Sequence, residues 1–300
     1  FSLPEGMITM SNRSVAVLKA NITRNLRIDW KYKLNFITDL AWLAVDVITF
    51  LFLGQVVASS GIENFLYGET LKEFLVVGVI YWVIFTRAYK DGVSVIPNEA
   101  ALGALGFIIT NEVSLSDLIT GQFSSSTIKT SITLIVFVLP IIGFLSFTNI
   151  LQPLKITPIT ILLTLVIFII SWVFMLGITI IASTLNVIFK KSGPLTFLLS
   201  YLLTMLSGYF FPLEVLRDFG LGAIEYLLYF IPTTGMLYSL RSMLIFGDSR
   251  PLGEYYYDFG LILATIIIDG IIAIIVLFLA LYVMRRITRK AAYSGTLEFY

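Results

Sequence analysis

Long apolar runs, most close to 20 residues and separated by short polar stretches, decide what this chain can become. A bilayer has a hydrocarbon core of about 30 Å, which about 20 helical residues cross at 1.5 Å each. Of the 300 residues, 58% are hydrophobic and 13% charged, against about 45–50% and about 25% in a soluble domain. A protein core cannot absorb that excess, whereas lipid can. Lipid offers backbone amides no partner, so spans are helices or closed barrels. The runs are continuous rather than alternating over ten residues, which selects helices. Residues 34–57, 71–88, 127–150, 156–188, 195–211 and 259–284 are the six expected spans.

Two further segments are apolar without being spans. Residues 14–33 place Val15, Leu18, Ile22, Leu26 and Trp30 on one helical face and Arg24, Arg27 and Lys31 on the other, the pattern of an interfacial helix. Residues 1–12 have no apolar stretch of the secretory-signal kind. Residues 219–231 lie between Pro212 and Pro232 and contain Glu225, a length and context that suit a re-entrant or surface segment. The expected fold is therefore an all-α integral membrane protein. Residues 1–33 form a cytoplasmic N-terminus with the interfacial helix, 34–284 form the six-helix domain, and 285–300 form a tail. The domain has an inner loop at 89–126 and an external re-entrant region at 212–258.

Lys and Arg concentrate in cytoplasmic loops. With the N-terminus inside, fifteen of the 20 basic residues fall on the inner side; Lys72, Lys155, Arg217, Arg241 and Arg250 are the five outside. Dropping one span reverses every later loop and destroys this bias. The expectation is a multi-pass protein of the cell membrane with both termini cytoplasmic.

A formal net charge of +1 gives no field for nucleic acid. The chain has no Cys and no His, which removes thiol nucleophiles, Cys/His metal sites and His-based triads. No catalytic or metal residue is expected. No Gly-x-x-x-x-Gly-Lys-[Ser/Thr] occurs, so the chain has no P-loop. Three acids stand in spans: Asp39, Asp46 and Asp269. Asp39 is shallow enough to reach the headgroups or Lys33. Asp46 and Asp269 lie near mid-membrane, where a charge costs on the order of 3 kcal/mol. They either line a polar pathway or subunit interface, or stay protonated between helices. The Gly208-Tyr209-Phe210-Phe211-Pro212 stretch ends the fifth span at its proline. Its aromatics form either an outer gate or an interfacial belt.

The stretch Ser207-Gly-Tyr-Phe-Phe-Pro-Leu-Glu-Val-Leu216, with Ile231-Pro-Thr-Thr234 and Leu240-Arg-Ser-Met-Leu-Ile-Phe-Gly247, resembles the G-x-F-F-P-x-E-x-L signature and following elements of type-2 ABC transporter permeases. Glu99-Ala-Ala-Leu-Gly-Ala-Leu-Gly106, with Thr110-Asn-Glu-Val-Ser114, lies where that family carries an E-x-x-x-G-T-L-E run and a turn, although Gly106 replaces the expected acid. The tail at 289–297 resembles the family's basic ending. The resemblance implies the membrane subunit of an exporter for drugs, lipids or lipid-linked glycans, with ATP and Mg bound by a separate ATPase and no cofactor in this chain. It implies a second copy of the permease, with the pathway between the two. It also implies that the short helix at 98–106, with Asn98, Glu99, Leu102, Gly103, Leu105 and Gly106, couples to the ATPase, Glu99 meeting a basic group there. The bland alternative is an amphipathic loop helix against headgroups. An ATP-independent transporter or channel and a polytopic membrane enzyme are the competing classes.

Overall fold

A computed structural model of the chain describes residues 5–59, 71–111, 113–151, 153–189, 193–213, 215–246, 251–252, 255–256 and 259–293. Nearly all are helical. In chain order they form α1 (Glu5–Lys31), α2 (Lys33–Ser59), α3 (Leu71–Ala101), α4 (Leu105–Thr110), α5 (Leu115–Thr133) and α6 (Leu139–Phe147). There follow α7 (Pro158–Ile188), α8 (Gly193–Leu206), α9 (Val215–Asp218), α10 (Gly222–Tyr229), α11 (Pro232–Arg241) and α12 (Phe259–Tyr293). Pro251–Leu252 pairs antiparallel with Tyr255–Tyr256. Three stretches are long and apolar enough to cross a membrane: Leu115–Phe147, Pro158–Ile188 and Gly260–Lys290. Two shorter helices, Ala41–Val56 and Gly193–Leu206, are also apolar. Ile135, Phe144, Leu162, Ile169, Ile267 and Phe278 stand exposed along the long stretches, a surface suited to lipid.

α3 is the central helix, and the contacts along it give the bundle its directions. Tyr81 meets Ser171 and Asn186 meets Val93, so α7 runs parallel to α3. Ile170 lies against Gly270, Gly177 against Leu277 and Thr184 against Met284, so α12 runs parallel to α7. A Cβ on Gly177 would stand 3.1 Å from the Leu277 backbone nitrogen, the close approach that small residues permit between membrane helices. α8 runs the other way, since Tyr89 donates to the Thr196 carbonyl and Trp82 to Thr204. α2 is also antiparallel to α3, with Gly54 against Lys72.

Two prolines sit inside long helical stretches, and each is accommodated locally. Pro97 has no N–H for the Val93 carbonyl four residues earlier; the Asn186 side chain donates to that carbonyl instead, at 2.8 Å. Ahead of Pro140, residues Leu134–Val138 form a π-helical turn, which makes room for the ring and joins α5 to α6. The stretch that answers to the third expected span consequently begins at Leu115, twelve residues before the expected start.

Several expected boundaries are corrected. The segment at 89–126 is mostly helix, because α3 runs through to Ala101 and α5 begins at Leu115. α8 ends at Leu206 rather than at Phe211: Gly208 takes φ +67° and turns the chain before Pro212 can. On α1, Asn21 and Asn25 are the buried residues, Leu18, Ile22 and Leu26 are half-buried beside them, and Val15 is 61% exposed. The cause lies on α5: Asn21 packs where a Cβ of Gly121 would be, and Asn25 donates to Gln122 at 2.5 Å and to Ser125. The side chains of Trp30, Lys33 and Asp39, the turn at 247–250 and the tail from 294 fall outside the described residues.

Candidate functional site

Two places gather the residues singled out in the sequence, one at each end of the bundle. At the first, the chain leaves α8 and folds back through α9 and α10 into α11, whose residues Pro232 to Leu237 and Ser239 to Arg241 are buried among α3, α7 and α12. Arg241, 4% exposed, holds this fold-back together. Its guanidinium donates to the carbonyls of Phe74 (3.0 Å), Gly208 (2.7 Å) and Tyr209 (3.1 Å), with its Cζ 3.5 Å from the Phe74 ring centre. A Cβ on Gly78 would collide with it. Thr234 caps the last turn of α8 by donating to the Leu206 carbonyl at 3.1 Å. Tyr81 donates to the Thr233 carbonyl at 3.2 Å. Residues from all three motif elements thus meet in space, and the polar atoms freed where α8 ends are the ones that Arg241 and Thr234 satisfy.

Of the five proposed gate residues, Gly208, Tyr209 and Pro212 are buried, and Phe211 is half-buried. Tyr209 lies among Phe50, Trp82 and Phe210, with ring centres 5.4, 6.4 and 4.5 Å away. Phe210 is 38% exposed and presents open ring surface. Outside this ring cluster, Arg217 donates to both carboxylate oxygens of the buried Glu225, at 2.7 and 2.6 Å, and fastens α9 to α10.

At the opposite end, the expected helix over 98–106 is replaced by an elbow. Gly103 has φ +69°, its N–H bonds to the Ala100 carbonyl at 3.0 Å, and the Ala104 N–H reaches back to Glu99 at 2.9 Å. That pair of bonds is a Schellman stop, so Asn98 and Glu99 belong to the last turns of α3, while Leu105 and Gly106 open α4. Leu105 is buried; Leu102 and Phe107 are 79% and 74% exposed, and space is open around Gly103 and Gly106. Glu99 already has a partner within the chain: Arg24 of α1, at 3.1 Å. Asp91 and Ser126 add a 2.6 Å bond between α3 and α5 nearby.

The two acids expected near mid-membrane are not brought together. Asp46 is half-buried on α2, which packs on α3. Asp269 is 1% exposed on α12, against Gly235 of α11, and its Oδ2 makes no hydrogen bond among the described residues. Sequence reasoning missed the Arg24–Glu99 bridge and the anchoring role of Arg241. The first had no local signal, but a basic residue in an apolar segment already signals a buried, multiply bonded guanidinium. Comparison with protein-family models and with curated proteins finds no match to this chain.

Proposed function

We propose that this chain is the membrane subunit of an ATP-driven exporter, moving a hydrophobic or amphipathic substrate out of the cytoplasm and powered by a separate ATPase. The observation that carries the reading is the Arg241 fold-back. The three motif elements that resemble type-2 ABC permeases are separated in sequence by α10 and the middle of α11, and they form one bonded unit at one end of an apolar bundle. Helix directions support six crossings in the cell membrane. α2 opposes α3, α7 and α12 run parallel to α3, and α8 opposes it, which is the alternation that six spans and a non-crossing α9–α11 require. With that alternation, the basic residues put both termini and the elbow inside, and the fold-back outside. The exposed Leu102 and Phe107 flank the elbow on which the ATPase docks. A second copy of the chain completes a pathway too wide for one bundle, with Phe210 at its outer mouth.

A second reading, an ion-coupled transporter that runs without ATP, draws on Asp269. An intramembrane carboxylate with an unpartnered oxygen is a feature of proton and cation relays. Inverted vesicles made from the chain's native membranes separate the two readings, using a panel of lipophilic fluorescent dyes. Accumulation that needs ATP and survives a protonophore supports the ABC reading; accumulation that a protonophore abolishes and ATP does not restore supports the other.

A further inference from the structure

On the outward face of α1, Lys19, Arg24 and Arg27 share one open strip with Ala16, Ala20, Thr23 and Ile28. Among the described residues, Lys19 and Arg27 have no acidic partner, and Arg24 gives one nitrogen to Glu99. The strip therefore sets three cations among small and apolar residues, with a single carboxylate at one edge.

Its depth relative to the bilayer follows from α5. The stretch Leu115–Phe147 has 33 residues, about 50 Å of helix against about 30 Å of hydrocarbon. About 20 Å must project beyond it, and the polar first turns, with Ser116, Asp117 and Gln122, are the end that does so. α1 is seated on those turns through Asn21 and Asn25. One residue beyond α1, the chain enters the apolar α2. The strip accordingly lies where headgroups end and acyl chains begin, at the same end as the exposed Arg285, Arg286, Arg289 and Lys290 of α12.

From this we infer that the basic strip of α1 is a binding site for the headgroup of an anionic phospholipid, with Lys19, Arg24 and Arg27 on its phosphate and the alanines and Ile28 along its glycerol and upper acyl carbons. Charge complementarity selects an anion, and apolar residues on the same strip at headgroup depth select a lipid over a soluble one. The Glu99 carboxylate competes with the headgroup for Arg24, so a bound lipid loosens the bridge between α1 and the end of α3. The inference needs only the chain's place in a bilayer, and it stands or falls separately from the exporter reading.

The test is native mass spectrometry of the full-length protein in a neutral detergent, titrated with phosphatidylglycerol or phosphatidylcholine of the same acyl chains. Phosphatidylglycerol should be held at least about tenfold more tightly. Lys19→Gln and Arg27→Gln should each weaken it about fivefold, the effect of one cation near an anionic surface, without changing phosphatidylcholine binding or the unfolding temperature. Glu99→Gln, which frees Arg24, should strengthen it. Equal retention of the two lipids overturns the inference, as does a phosphatidylglycerol preference that survives the double variant. Displacement of the lipid by equimolar inorganic phosphate would show a site for free phosphate instead. Protection of Lys19 from an amine-reactive label by a bound protein, with or without lipid, would mark the face as a protein interface.

Discussion

Replacing Arg241 tests whether the fold-back is a bonded unit. The Arg241→Met variant keeps the side chain's length and apolar stem but orphans the buried carbonyls of Gly208 and Tyr209. The Phe74 carbonyl loses its bond to Arg241 but keeps its place in the ladder of α3. Each unsatisfied carbonyl costs about 1–3 kcal/mol, partly offset by the methionine's packing, so a loss of about 3 kcal/mol is expected. At about 2–4 °C per kcal/mol for a chain of this size class, the apparent unfolding temperature in detergent should fall by about 6–12 °C. Arg241→Lys keeps the charge but offers no planar fork, so it should retain part of the stability and unfold between the two. Size-exclusion chromatography after stepwise heating reads all three proteins. An Arg241→Met protein that unfolds within 2 °C of the parent would refute the claim that these three bonds hold α11 in place.

Further consequences can be checked on the same material. A Cβ on Gly235 would collide with Asp269 and stand 3.0 Å from the Tyr229 carbonyl oxygen, so Gly235→Ala should destabilise by about 1–3 kcal/mol; an unchanged unfolding temperature would mean α11 and α12 are less closely packed. The Arg24–Glu99 bridge is half-exposed on its basic side and should contribute only about 0.2–1 kcal/mol, so Arg24→Glu should leave stability nearly unchanged, and adding Glu99→Arg should recover whatever is lost. The absence of native cysteine allows single-cysteine mapping without background: Phe219→Cys should react with an impermeant maleimide on intact cells and Leu102→Cys only after permeabilisation, whereas the reverse pattern would invert the orientation.

Helix positions were readable because they depend on the lengths of apolar runs, and the runs that became α2, α7 and α12 lie close to where the sequence places them. Helix ends were not, because they depend on bonds across the fold. Pro212 looked like the end of α8, but Gly208 turns the chain earlier and carbonyls there are met by Arg241, more than thirty residues on. The 98–106 segment read as a helix by its small residues, yet Gly103 in a left-handed conformation stops α3 inside it. α1 was readable as amphipathic, but the burial of Asn21 and Asn25 is set by Gly121, Gln122 and Ser125 on α5, which no periodicity within α1 encodes. Asp46 and Asp269 stood out by their cost in lipid; their separation is a property of packing.

The exporter reading turns most directly on whether the elbow carries an ATPase. The measurement is affinity purification of the tagged chain from its native membranes in a mild detergent, followed by assay of ATP hydrolysis, for the parent and for Leu102→Asp/Phe107→Asp. Both substituted side chains are exposed, so this variant should keep the parent's unfolding temperature. The account predicts that the parent retains a P-loop ATPase chain and hydrolyses ATP, and that the variant, equally folded, loses both. A parent that purifies alone and without hydrolysis, or a variant that retains the ATPase at full activity, would contradict it.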